Sequence, residues 1–158
     1  MKRIGLAMVT LFLTGCGVAA DDRPVEAKTI LAQGAVEAKA GWEGGMSAPL
    51  IADTLEAEVE CAVQWEVWGL AIQEARLVEP VMAALPAELQ MQPSGERHRR
   101  WSDRVMARQD AAGGDPRATL EAYSRLKPPA EALFARAFNG EPGALEDYVE
   151  RLSACRNP

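Results

Sequence analysis

One histidine, three cysteines and few aromatics (6%) are little chemistry for 158 residues. His98 alone cannot supply the paired nitrogens of a metal centre, and three cysteines without a C-x-x-C form no thiolate cluster. No G-x-G-x-x-G, Walker loop or H-E-x-x-H is present, so no nucleotide, cofactor or zinc-hydrolase motif can be placed. A surplus of positive charge is also missing. The net charge is −6, which makes the whole chain a poor partner for nucleic acid, whose phosphates need basic surface. Nor is there an apolar run near the ~20 residues that a membrane-spanning helix requires. What remains is 48% hydrophobic and 25% charged, the composition of one ordinary globular domain.

The longest apolar stretch lies at the start. Lys2 and Arg3 precede Ile4 to Leu13, interrupted only by Gly5 and Thr10. A basic start and a short apolar core have the pattern of a secretory leader. Leu13-Thr14-Gly15-Cys16 then resembles the lipobox of bacterial lipoproteins. That resemblance covers the leader alone. It implies cleavage before Cys16, acylation of that residue and a mature chain beginning there. Two or more acyl chains hold a protein stably on a membrane. Gly17, rather than Asp, after the cysteine implies the outer membrane, facing the periplasm, if the source is a diderm bacterium. Loss of Lys2 and Arg3 leaves 15 basic against 23 acidic residues, a net of −8.

Residues 1–15 are therefore expected as leader, 16–47 as the lipidated cysteine with a flexible tether, and 48–158 as the folded domain. The tether reading rests on Ala, Gly and small polar residues, with Gly41, Gly44 and Gly45 near its end. About 30 such residues span roughly 30 Å. Ala-rich Val25 to Ala40 could form a weak helix, at a cost of ~1 kcal/mol for Gly34. Trp42 either docks the tether's end on the domain or sits in the lipid interface.

Beyond residue 47 the apolar spacing is helical throughout. The pattern predicts a proline-free helix over Ala48 to Glu79, capped by Ser47, with Ile51, Leu55, Ala62, Trp65 and Ile72 on one face. A second helix opens at Ser94 and ends at Gly113-Gly114. Asp115-Pro116 starts a third, which stops before Pro128-Pro129; a short fourth carries Leu133, Phe134 and Phe138. The last begins near Pro142 and aligns Leu145, Tyr148, Leu152 and Cys155. The expected fold is all-α, a small antiparallel bundle of about five helices. With Cys16 acylated, Cys61 and Cys155 are an even pair in an oxidising compartment, and a disulfide between them is expected.

Two groups merit weighing as sites. Arg97, Arg100, Arg104 and Arg108 form one helical stripe. They could bind an anion or a partner. They could equally match the acidic first helix, where Asp53, Glu56 and Glu60 share a stripe, and the second reading is preferred. Trp65, Trp68 and Trp101 could line a ligand pocket, although aromatics at helical spacing are usually core. His98 is expected to be structural. Carboxylates such as Glu56 and Glu60 read as a solvated face, so no catalytic residue is assigned. The expectation is a lipid-anchored, non-enzymatic module that binds an envelope protein or supports an envelope assembly. The alternative is a helical bundle that binds an anionic or hydrophobic small molecule, with weak enzymatic activity.

Overall fold

The computed structural model describes residues 23–74 and 85–158. The leader, Cys16, residues 17–22 of the expected tether and the expected end of the first bundle helix at 75–80 lie outside the described residues. Among the described residues there are five α-helices and a 3₁₀ turn: α1 Arg23–Ser47, α2 Leu55–Glu74, the turn Ala87–Leu89, α3 Met91–Ala111, α4 Arg117–Phe138 and α5 Ala144–Ala154. No strand occurs among the described residues.

Several boundaries differ from expectation, each for a local reason. Ser47 closes α1 instead of opening α2, its hydroxyl donating to the Glu43 carbonyl. Thr54 caps α2 in its place, Oγ1 accepting from Ala57 N–H at 3.2 Å, and Glu56 and Glu58 put negative charge in the first turn. Ser94 lies inside the first turn of α3, where its hydroxyl donates to the Gln90 carbonyl. The expected third and fourth helices are one: α4 runs through Pro128 and Pro129. Both prolines are exposed, as are Ser124 and Arg125, whose carbonyls lose their intrahelical partners. On this exposed face the freed carbonyls are open to solvent, which reduces the usual penalty for an internal proline. Asp115 does restart the chain as expected, Oδ1 accepting from Arg117 N–H at 3.0 Å. Gly143 at φ 78° makes the left-handed turn into α5.

Helix α2 is the spine. It packs against α3 on one side and α4 on another, and α4 packs on α5. Contacts pair Ala52 and Glu58 with Arg104 and Arg108, and Trp68 with Leu89, so α2 and α3 are antiparallel. Likewise Cys61 meets Cys155 and Gln64 meets Tyr148, which sets α5 antiparallel to α2. Antiparallel order does not extend to the chain's two ends. Gly34 lies by Leu145, Gly41 by Glu146, and Gly45 by Glu150 and Ala154, so α1 and α5 run in the same direction.

That α1–α5 seam corrects the tether expectation over 23–47. Ala38 is fully buried and Trp42 nearly so. A Cβ on Gly41 would stand 2.2 Å from the Glu146 carbonyl oxygen, and one on Gly45 would stand 2.1 Å from that of Glu150. Only glycine allows the two backbones this close. The residues that looked like linker are a packing surface, and Trp42 docks on the domain, edge-on to Trp65 at 6.4 Å between ring centres.

Candidate functional site

Glu58 sits in the first turn of α2 on the apolar face, 1% exposed. Arg104 Nε donates to its Oε1 at 2.7 Å; Arg108 donates from Nε to Oε2 and from Nη2 to Oε1, both at 2.7 Å. The fork of Arg108 on the carboxylate is the bidentate geometry that guanidinium favours. Burial pushes the Glu58 carboxyl up. The hydrogen bonds from Arg108 and Arg104, with their charges, outweigh it and hold the group below the ordinary carboxylate value. The same bond from Glu58 holds the Arg108 guanidinium above its ordinary value. Arg104 also donates to the Ala52 carbonyl at 2.8 Å, which ties the α1–α2 connection to α3.

The rest of the arginine stripe is engaged too. Arg100 pairs with Glu96 one turn earlier on α3. Arg97 donates to the Glu88 carbonyl at 2.7 Å and lies over the rings of Trp42 and Trp65, 5.5 and 5.1 Å from their centres. Burial lowers its affinity for the proton. All four arginines are thus held by this chain's own groups, and the stripe supports the intramolecular reading. Its central partner is Glu58, outside the expected Asp53, Glu56 and Glu60 stripe. Glu56 instead pairs with Arg125 on α4, and Glu60 with Arg151 on α5. Glu58 was legible in principle: it lies three residues after Leu55 and seven before Trp65, a carboxylate on an otherwise apolar face.

The three tryptophans offered as a pocket are core. Trp65, Trp68 and Trp101 are 0%, 3% and 1% exposed. Each indole N–H donates to a backbone carbonyl: Trp65 and Trp101 to that of Cys155 at 2.9 and 2.7 Å, Trp68 to that of Leu89 at 2.9 Å. Their indole nitrogens are used within the core. Trp68 continues into an aromatic cluster with Phe134 and Tyr148. The Tyr148 hydroxyl donates to the Gln64 carbonyl at 2.9 Å, and burial pushes its pKa up. His98 is half-buried on α3.

Cys61 and Cys155 form the expected disulfide, with their Cα atoms 5.3 Å apart. Both are buried. Concavities among the described residues lie elsewhere. One, of about 600 Å³, runs along the outer flank of α1 between Val36, Trp42 and Met46 and the residues Leu85 and Pro86. Another, of about 420 Å³, is polar and lies between Ala48 and the Asp147–Arg151 face of α5. No cluster of three or more His, Cys, Asp or Glu able to hold a metal occurs among the described residues, and no described helix is long and apolar enough to cross a membrane. No family model, curated protein or solved structure matches the chain.

Proposed function

We propose that the chain is a lipid-anchored module of the bacterial cell envelope, non-enzymatic, which holds a partner protein close to the membrane. The observation that carries this reading is the Cys61–Cys155 disulfide, which pairs two of the three cysteines and leaves Cys16 to the lipobox-like sequence. Cys16 stands in a lipobox-like sequence behind a short leader. Cys61 and Cys155 join in a buried disulfide, the bond of a chain exported from the reducing cytosol. Gly17 after the acylated cysteine favours the outer membrane, facing the periplasm.

The anchor and the domain are close in sequence. Helix α1 begins at Arg23, seven residues after Cys16, and its second half is seated on α5. The folded body is therefore joined to the lipid by a short link and a helix, which keeps it near the headgroups. The non-enzymatic reading is supported by what the charged groups do: Arg104 and Arg108 are committed to Glu58, Arg100 to Glu96, and Arg97 to the Glu88 carbonyl. Trp65, Trp68 and Trp101 are buried with their indole N–H groups bonded to backbone carbonyls, which favours a core role over a ligand-binding one.

Cys16→Ser tests the anchor. The variant is expected to leave the membrane fraction and to lose incorporation of labelled palmitate; retention in the membrane with no change in label would overturn the assignment. Photo-crosslinking from Val36 and Ile51, which are 69% and 80% exposed, tests the partner in intact envelopes. A reproducible protein adduct is expected, and its absence from both positions would count against a protein-binding role.

A further inference from the structure

Ser153 to Arg156, at the end of α5, face two ways. Toward α1 and its connection to α2, the Ser153 hydroxyl donates to the Trp42 carbonyl at 2.6 Å and the Ala154 carbonyl accepts from Leu50 N–H at 3.1 Å. Arg156 donates to the Gly45 and Met46 carbonyls at 3.2 and 3.4 Å. Toward the bundle's interior, the Cys155 carbonyl accepts from Trp65 and Trp101, and its sulfur is bonded to Cys61 on α2. This is the last turn of the last helix, where fraying is expected to be easiest. The most extensive packing of α1 is against α5, and its further contacts include those of Trp42 with Trp65 on α2 and Arg97 on α3. The Glu58–Arg104–Arg108 seam between α2 and α3 uses none of these groups.

We propose that the Cys61–Cys155 disulfide is a conditional clasp for α1: the helix seats only when the bond is closed. In the dithiol form the 153–156 turn loosens, and α1 loses the hydroxyl, carbonyl and guanidinium that hold its C-terminal half. The α2–α3 seam persists. Closing the clasp forms one S–S bond between the two Sγ atoms. Two electrons and two protons leave the thiols and pass, by thiol–disulfide exchange, to a disulfide of an oxidising protein, which is reduced to two thiols. This inference deepens the export reading on which its setting rests. After oxidation, α1 docks on α5.

Amide hydrogen exchange on the full-length chain in detergent tests the clasp without reference to anchoring. Two windows are compared, residues 35–47 and residues 98–108, in the oxidised wild type and in Cys61→Ser/Cys155→Ser. Exchange in 35–47 is expected to accelerate by roughly tenfold or more in the variant, with 98–108 changed by less than about twofold. Unchanged protection of 35–47 overturns the clasp. Loss in both windows together also overturns it, because the bond would then hold the whole domain. Gly41→Val keeps both cysteines and drives a side chain into the Glu146 carbonyl; it should release 35–47 and spare 98–108. Loss of both windows in that variant would make α1 inseparable from the core and sink the proposal. Failure of Cys16→Ser to leave the membrane would strike the anchor alone.

Discussion

The α2–α3 seam and the α1–α5 seam are specified by opposite means. Along α2–α3, a buried carboxylate and two arginines choose the register: Glu58 accepts from both Arg104 and Arg108. Along α1–α5, register is chosen by the absence of side chains, because Gly41 and Gly45 let backbones approach to distances that a Cβ forbids. A charged seam is sensitive to pH and tolerant of small movements. A backbone seam is indifferent to pH and intolerant of one added carbon. The two also mislead in opposite directions when read from sequence: the arginines look like a site for an outside anion, and the glycines look like linker.

The largest effect is expected where the backbones meet. Gly45→Val places carbon 2.1 Å from the Glu150 carbonyl oxygen and 2.6 Å from the Ser153 Cβ, and should cost about 3 kcal/mol, seen as a fall of roughly 10 °C in the thermal midpoint. A midpoint within about 2 °C of wild type would mean that the seam is not closed in solution.

Glu58→Gln should be milder, about 1–2 kcal/mol in urea unfolding, because the half-exposed arginines it leaves can be rehydrated. Its signature is the pH dependence. The native carboxyl lies below its ordinary value of 4.5. Its contribution is therefore complete at neutral pH, and is lost as pH falls from 4.5 through the lowered native value. Wild type should lose more stability than Glu58→Gln between pH 7 and pH 3, so the two unfolding midpoints converge in acid. Parallel pH profiles would show that the carboxylate does not carry the seam. Gly45→Val, in contrast, should be offset from wild type by the same amount at both pH values.

The smallest effect is expected at an exposed pair. Glu56→Ala removes the partner of Arg125 at 2.8 Å, yet both side chains are well exposed, and a loss of no more than about 0.5 kcal/mol is expected. A larger loss in a double-mutant cycle with Arg125→Ala would mean that the α2–α4 face is also set by charge.

Much of the bundle is legible in the residues. The helical period from Leu55 to Ile72, the stop at Gly113-Gly114, the restart at Asp115 and the Tyr148–Leu152–Cys155 stripe are local signals, and local signals are what sequence patterns carry. The disulfide is legible by counting, once Cys16 is set aside as the expected site of acylation. The continuous α4 is not, because whether a proline pair breaks a helix depends on whether water reaches the freed carbonyls. Nor is the role of Trp65, Trp68 and Trp101 decided by spacing, since a pocket and a core present the same period until the indole N–H groups find backbone carbonyls.

By itself the sequence determined the all-α class, the cysteine pairing and the presence of two charged faces of opposite sign, because each follows from composition or from the 3.6-residue period. Only the tertiary structure decided that α1 is part of the body, that it runs parallel to α5, and that one buried glutamate gathers two of the four arginines. Those outcomes depend on which surfaces come within a few ångströms of each other, and glycine and arginine advertise no preferred partner until the backbone has placed one.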